Sequence, residues 1–247
     1  MPTENPSYVF GENIESSLIV KASTAADHTV LKCGFGAMPI GVTHEGSREA
    51  PIPNITPYAA LSGESARVYG LGETCEVQVG SGVVVTAGYA VMPDANSKAR
   101  RAIHGLPALG IAQKTVTGPA RCRVQVRPHI FDNSYTVITK TQADTPVTVN
   151  DYDSGATLTN TGASGQVTFS LPAAVKGLSI RARVDAAQEL RLHPNGSEQI
   201  CLPSTGVPGA AGKYLSADAV NETVHLRCIE DGIWDVVSYT GTWTAES

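Results

Sequence analysis

The 247-residue chain has almost none of the sequence pattern that is typical of α-helices. No stretch places apolar residues at positions i, i+3, i+4 and i+7 over three turns, which excludes a helical bundle or a coiled coil. Charged residues are also scarce at 17%, below the usual share of about a quarter. Serine, threonine, glycine and alanine stand in their place, and these residues suit strands, tight turns and closely packed subunit contacts.

Long hydrophobic runs are missing as well. No apolar segment approaches the ~20 residues that a membrane helix needs, and the N-terminal segment lacks the charged and apolar regions of a secretory signal. We therefore expect no membrane partner and assembly in a cytoplasm. The net charge of −5 does not provide the basic footprint of a nucleic-acid-binding protein. The one dense basic cluster, Lys98, Arg100 and Arg101, is typical of a solvated turn.

The five cysteines do not form a recognisable framework. Their number is odd, none forms a C-x-x-C pair, and none has a histidine or a second cysteine at the spacing of a zinc site. Cys75, Cys122 and Cys228 lie in phase with the apolar positions of alternating segments. We expect small, buried, reduced thiols, no metal site and no cofactor.

Period-two alternation of apolar and polar residues is the dominant pattern of the chain. Such alternation predicts a strand with one face in a core and the other in water. Turn signals rich in glycine, asparagine and proline separate the alternating segments. Together they predict an all-β fold of two small β-barrel or β-sandwich domains preceded by an extended N-terminal arm. The clearest alternating segments are 74–79, 121–127, 166–171, 178–184 and 224–228.

The chain divides into four predicted parts. Residues 1–17 are predicted to be an extended arm, because Pro2 and Pro6 disfavour regular structure. Residues 18–130 are predicted to form the first β-domain, 131–150 a linker or joining strand, and 151–247 a second β-domain. The two halves show no clear internal repeat.

Motifs for catalysis and metal binding are weak. The glycine-rich segment 206–214 fails the spacing of a phosphate loop and predicts a turn between strands. The acidic segment 150–155 lacks the later ligands of a calcium loop, which favours a polar turn. No G-x-S-x-G motif is present, and the six histidines suggest neither a metal pair nor a catalytic triad. We therefore expect a protein that is not an enzyme.

Ordered short motifs in the first part of the chain resemble the small β-barrel of the capsid cement (head decoration) proteins of tailed phages. One departure is Ser97, which stands where the family's turn after Asp94 commonly has glycine. We expect Asn96, a residue that tolerates the left-handed conformation, to absorb this change. The resemblance covers about residues 18–128, and its motifs are residues 39–43, 59–72, 74–80, 87–96, 109–112 and 121–126.

The second part of the chain resembles β-modules appended to phage head-decoration and fibre proteins. The resemblance implies an outward-projecting virion module that is trimeric. It covers nearly all of the chain from residue 150 onward. Its motifs are residues 160–165, 169–174, 192–196, 209–213 and 234–243.

The two resemblances imply a structural function. A cement protein would bind the outside of the expanded phage head as a homotrimer, bridge copies of the major capsid protein and stabilise the shell, with the virion surface as its location. Linked weak contacts suit such a bridge, and an extended arm can add a strand to a sheet edge of the capsid protein. Within that arm we expect Tyr8, Val9 and Phe10 to form the capsid-binding segment.

Three alternatives remain open. The nearest is a receptor-binding fibre or tail surface module, which would share the trimeric β-architecture, although the long repeated segments of a fibre are missing. A polysaccharide depolymerase would require a concave acidic groove, which the sequence cannot test because carboxylate separation is a distance in space. A secreted carbohydrate-binding module would require a signal segment.

Overall fold

The computed structural model describes residues 8–44, 58–139, 141 and 146–246. Within these ranges the regular backbone consists of strands and one three-residue 3-10 helix, so the all-β class is confirmed. No helix in the described ranges is long and apolar enough to cross a membrane. The chain forms two compact units: unit 1 comprises Met1–Ala102 and Leu106–Phe131, and unit 2 comprises Ile103–Gly105 and Asp132–Ser247.

Unit 1 contains the first fifteen strands of the described chain. Most are short, as expected where glycine-containing turns interrupt the alternating segments. The strands are β1 (Tyr8–Phe10), β2 (Ile14–Glu15), β3 (Ile19–Ala22), β4 (Thr29–Lys32), β5 (Gly41–Thr43), β6 (Tyr58–Ala60), β7 (Ser65–Ala66), β8 (Val68–Tyr69), β9 (Thr74–Val79), β10 (Val84–Val85), β11 (Ala90–Pro93), β12 (Ala99–Arg101), β13 (Pro107–Ala112), β14 (Val116–Thr117) and β15 (Ala120–Ile130).

Two main sheets build unit 1. One is six-stranded in the order β7-β1-β4-β3-β5-β8. The other closes on itself as a five-stranded ring in the order β11-β12-β9-β15-β13, in which β12 and β9 are parallel and the other neighbours antiparallel. Closure satisfies the backbone groups that an open sheet would leave at its edges. Two further pairs, β2-β6 and β10-β14, complete the unit.

The predicted alternation explains which side chains fill the ring. Cys122, Val124 and Val126 on β15 are fully buried, while Arg123 and Gln125 between them are exposed. Val77 on β9 lies opposite Cys122 and is buried with it. A second buried cluster, which contains Phe10, Ile14 and Val30, belongs to the six-stranded sheet and its neighbours. Burial of these apolar side chains is the main favourable contribution to the fold.

Unit 2 contains the remaining strands and the 3-10 helix Asp151–Asp153 of the described chain. The predicted strands over 166–171 and 178–184 are confirmed with slightly shorter bounds, and that over 224–228 is confirmed with a shift of one residue toward the N-terminus. The strands are β16 (Val137–Thr139), β17 (Val147–Thr148), β18 (Thr157–Thr159), β19 (Val167–Ser170), β20 (Ser179–Arg183), β21 (Leu190–His193), β22 (Gln199–Ile200), β23 (Leu215–Ala217), β24 (Thr223–Arg227), β25 (Ile233–Thr240) and β26 (Thr244–Ala245).

The first half of unit 2 winds back and forth between two sheets. Strands β16, β18 and β20 lie side by side and parallel in one sheet, and β17, β19 and β21 do so in the other. Ile138 pairs with Leu158, 20 residues later, and Leu158 pairs with Ala182, 24 residues later. This solenoid-like arrangement corrects the expectation of a barrel or sandwich here. Each strand of the opposite sheet supplies the crossover that parallel neighbours require.

The later strands of unit 2 extend both sheets with mainly antiparallel pairs. The full orders are β16-β18-β20-β24-β25-β22 and β17-β19-β21-β23-β26. Phe169, Leu192 and Trp234 are among the fully buried side chains of this unit, and Trp243 is buried as well. The glycine-rich segment 206–214 lies between β22 and β23, in agreement with the predicted turn between strands.

The turn after β11 differs from the sequence-based expectation in one residue. Ser97 itself adopts the left-handed conformation, with φ of +63°, so Asn96 does not absorb the missing glycine. The Asp94 carboxylate accepts the backbone N–H groups of Asn96 and Lys98 at 2.7 and 2.9 Å. Ile19 donates its backbone N–H to the Ser97 carbonyl at 2.9 Å. These bonds hold the serine in a conformation that costs an L-residue about 1–2 kcal/mol.

Candidate partner-binding surface

The three residues predicted to bind the capsid lie in strand β1 of unit 1. Strand β1 pairs with β4 in parallel and with β7 in antiparallel orientation. Phe10 is fully buried, Tyr8 is half-buried, and Val9 is 37% exposed. The Phe10 ring therefore packs within the unit's own core, and Val9 presents the accessible side chain of this segment. The capsid-binding role of the segment stays a prediction.

The basic cluster of the sequence is divided by the strand that carries it. Successive side chains of β12 point to opposite faces. The Arg100 guanidinium lies 5.6 Å from the centroid of the Phe35 ring, and the Arg101 guanidinium lies 3.9 Å from that of Tyr89. Such contacts contribute about 0.5–1 kcal/mol at exposed sites. The cluster is therefore two separate cation–aromatic contacts with Lys98 beside the turn.

An open depression of about 570 Å³ lies beside this turn in unit 1. Three lysines, Lys21 on β3, Lys32 on β4 and Lys98, contribute to its wall, and one carboxylate, Glu15, faces them. Lys32 lies 3.9 Å from Glu12, whereas Lys21 and Lys98 form no ion pair with any described residue. The remaining lining residues are Leu18, Gly34, Ala95, Asn96 and Ser97.

A loop with two exposed apolar side chains borders the depression. Phe35, 44% exposed, directly follows the lining residue Gly34, and Met38, 49% exposed, lies three residues further on. Cys33 anchors the loop to the core of unit 1, because it is fully buried and its Sγ donates to the Ala37 carbonyl at 3.5 Å. We define the lysine–phenylalanine surface as Lys21, Lys32, Lys98, Arg100, Phe35 and Met38.

The sequence alone indicates two of these six residues, Lys98 and Arg100, through their basic cluster. The other four, Lys21, Lys32, Phe35 and Met38, follow no motif. A local signal was present at Phe35, which stands between Gly34 and Gly36 and interrupts the polar composition expected of a turn. Gly36 has a φ of +74° and allows the tight turn that leaves the phenylalanine exposed.

A serine–histidine contact in unit 2 is the arrangement closest to catalytic geometry. Ser179 Oγ lies 2.8 Å from His225 Nε2 on the neighbouring strand. Burial lowers the pKa of His225, and the cations Arg181 and Arg227 lower it further. A general base must become an imidazolium when it accepts the serine proton, and this surrounding disfavours that form. No carboxylate among the described residues hydrogen-bonds to the ring of His225.

The acidic segment near residue 150 forms a capped turn. The Asp153 carboxylate accepts the backbone N–H and the side-chain amide of Asn150, at 2.9 and 3.2 Å. Both bonds go to Asp153 Oδ2 at the start of the 3-10 helix, which fits the predicted polar turn. Across the described ranges, no three His, Cys, Asp or Glu residues come together as a metal site.

All five cysteines are free and buried, which confirms the prediction of small buried thiols. Burial raises the pKa of Cys33 and Cys201 to about 11, and that of Cys75 and Cys228 to about 12. Neighbouring carboxylates raise the pKa of Cys75 further, through Glu73 and Glu76. Thiols with so little thiolate at neutral pH are poor nucleophiles, so their role is packing.

Comparisons with known proteins give a weak structural likeness. No model of a known protein family matches the chain, and no curated protein is similar to it. Among solved structures, the chain is similar to the N base of the head fiber gp8.5 of bacteriophage phi29, at 14% sequence identity and a TM-score of 0.31. The match covers 49% of this chain and 92% of that one. The likeness is too weak to establish a common fold.

Proposed function

We propose that this chain is a non-enzymatic capsid decoration (cement) protein of a tailed phage. It would bind the outside of the expanded head as a homotrimer, contact the major capsid protein and stabilise the shell. It would need no cofactor, nucleic acid or membrane. The proposal rests on one observation: residues 74–80, 87–96, 109–112 and 121–126, which carry the resemblance to cement proteins, contribute four of the five strands of the closed ring in unit 1.

The closed ring supports the proposal because it brings together cement-like motifs from different parts of the sequence. Strand β9 pairs with β15, and β15 with β13, which itself pairs with β11. The four motifs therefore lie side by side in one closed sheet. Their closure supports the small barrel that the resemblance implies, and it makes unit 1 the part that we expect to contact the shell.

The lysine–phenylalanine surface supplies the contact chemistry that this role requires. Interfaces are enriched in aromatic residues, methionine and arginine at their centre. Phe35, Met38 and Arg100 provide these side chains on unit 1, and three lysines line the depression that the Phe35 loop borders. A weak contact of this kind becomes effective when a trimer repeats it.

Incubation of the purified protein with expanded, undecorated shells tests the proposal. We expect co-sedimentation with the shells, a higher temperature of shell disruption, and a trimeric mass in sedimentation equilibrium. Absence of binding and no gain in heat resistance would reject the decoration role. A monomeric mass with retained binding would reject the trimer.

A receptor-binding fibre or tail module is the second candidate, favoured by the parallel two-sheet winding of unit 2. Cyclic or solenoid windings suit elongated surface modules. Imaging of virions carrying the tagged chain separates the two roles. Label at threefold positions of the head supports decoration, and label at the tail or at the tip of a fibre supports the alternative.

A further inference from the structure

We propose that the lysine–phenylalanine surface of unit 1 binds an acidic, extended peptide segment of a partner protein. Its carboxylates would pair with the lysines of the depression, and an apolar side chain of the segment would pack on Phe35 and Met38. This inference names the partner chemistry at the surface of the proposed function and rests on that function for the identity of the partner. The binding chemistry itself follows from the surface.

The charge of the depression favours an acidic partner. The lining of the depression contains three lysines and one glutamate, and Glu12 pairs with Lys32, so that Lys21 and Lys98 stand against Glu15 and leave a small excess of positive charge. The two units differ strongly in this respect, because unit 1 has 11 Lys and Arg against 10 Asp and Glu, whereas unit 2 has 7 against 13. The depression therefore attracts carboxylates although the whole chain is acidic. Lys21 and Lys98, without ionic partners among the described residues, can meet them at little cost.

The loop that carries Phe35 already has a fixed conformation. Ala37 packs against the buried cluster of the ring, and its N–H donates to the Gly34 carbonyl at 3.2 Å. The backbone between these residues is thus fixed before any partner arrives, with Phe35 outward. A ring that is already exposed and oriented loses little conformational entropy on binding. Arg100 beside the ring adds a positive charge to the surface.

The mixed chemistry of the surface selects among anionic partners. A nucleic-acid strand gains affinity from many phosphate contacts in a row, but Glu15 places a negative charge within this lining and Phe35 and Met38 interrupt the cations. A free inorganic anion would leave the apolar side chains uncovered. A peptide segment can contact both the lysines and the apolar side chains, because alternate side chains of an extended chain can be acidic and apolar.

The test is a titration of the full chain with a fluorescein-labelled peptide of alternating glutamate and leucine, followed by fluorescence anisotropy. Two further peptides, of glutamate with serine and of lysine with leucine, serve as chemical controls. We expect the glutamate–leucine peptide to bind most tightly, the glutamate–serine peptide about fivefold more weakly, and the lysine–leucine peptide not at all. Binding should weaken as salt is raised.

Variants locate the binding site. The double variant Lys21→Glu with Lys98→Glu should weaken binding by about tenfold or more, because two attractive charges become repulsive. Phe35→Ser should weaken binding of the glutamate–leucine peptide by about fivefold, the same loss that we expect when serine replaces leucine in the peptide. Lys176→Glu, the same charge reversal at an exposed lysine of unit 2, is the matched control and should leave affinity within about twofold. Thermal unfolding of each variant verifies that the fold is retained.

Several outcomes would overturn the inference. These are equal affinity of the double variant and the wild type, equal binding of the lysine–leucine peptide, or tighter binding of a single-stranded DNA oligonucleotide than of the peptide. Self-association of the wild type that the double variant abolishes would identify a second copy of this chain as the occupant, and would also reject a separate partner protein.

The same variants separate this inference from the proposed function. If the wild type binds expanded shells and the double variant binds them equally well, the decoration role stands and the inference fails. If no variant and no wild type binds shells, the decoration role fails, and the peptide titration still decides the inference. Loss of shell binding in the double variant but not in Lys176→Glu supports both.

Discussion

The side chain of Asn160 forms four hydrogen bonds with the segment after β20, and in two of them its Oδ1 accepts the backbone N–H of Asp185 at 2.7 Å and that of Ala186 at 3.0 Å. Its Nδ2 donates to the carbonyls of Ala186 and Gln188 at 3.1 and 2.9 Å. Asn160 is fully buried, and all of its bonding capacity is used. One amide thus joins the turn after β18 to the turn that follows the next strand of the same sheet.

We predict that Asn160→Ala destabilises the protein by about 3 kcal/mol or more, because several buried backbone groups lose their partner at about 1–3 kcal/mol each. Asn160→Asp keeps the acceptor for Asp185 and Ala186 but loses both donated bonds. Asn195→Ala, at an exposed turn position, should stay within about 0.5 kcal/mol of the wild type. Urea unfolding measures all three, and a small effect of Asn160→Ala would show that the bonds are not coupled to global stability.

We predict that Ser97→Gly stabilises unit 1 relative to Ser97→Ala by about 0.5–1 kcal/mol. Glycine adopts a φ of +63° without strain, and part of this gain is offset by the greater freedom of glycine in the unfolded chain. Alanine is the matched reference, because it retains the Cβ that causes the strain. Chemical denaturation of the two variants gives the difference directly, and a less stable glycine variant would contradict the expectation.

We predict that the pKa of His225 measured by NMR titration lies below its ordinary value, and that Arg181→Gln raises it. Burial is the main cause, and Arg181 and Arg227 add repulsion of the imidazolium. Since the folded pKa is the lower one, this stabilising contribution is present above the unfolded pKa of about 6.5 and is lost as the pH falls through the folded pKa. His225→Asn should reduce the loss of stability between about pH 7 and pH 5. An unchanged acid sensitivity would assign that loss to other groups.

We predict that the thiols react with Ellman's reagent only after unfolding at about pH 8, because the pKa values of Cys75 and Cys228 are raised to about 12 by burial. The raised folded pKa also has a consequence for stability. Its contribution is complete below the unfolded pKa of about 8.5 and is lost as the pH rises toward the folded value. Cys75→Ala should therefore flatten the alkaline loss of stability, measured as the urea midpoint against pH. Rapid labelling of the native protein would contradict the burial of these thiols.

The alternation of apolar and polar residues was sufficient to predict the strands that have one face in the core and the other in water. Cys122, Val124 and Val126 were predicted to point inward and are fully buried, because a strand turns successive side chains to opposite sides whatever its neighbours are. The same rule explains the division of Arg100 from Arg101, which a count of basic residues along the sequence does not show. The Ser97 turn differed from expectation because Asp94 and Ile19 hold the residues around it.

The amino-acid sequence by itself determined the all-β class, the strand faces, the turns and the burial of the cysteines, since each depends on the order of neighbouring residues. Tertiary structure decided which strands became partners: the parallel winding of unit 2, the inclusion of β1 in a sheet, and the meeting of Phe35 with Arg100. Backbone hydrogen bonds between strands are nearly independent of side-chain identity, so strand pairing is selected by the packing of the whole core and cannot be read from any single segment.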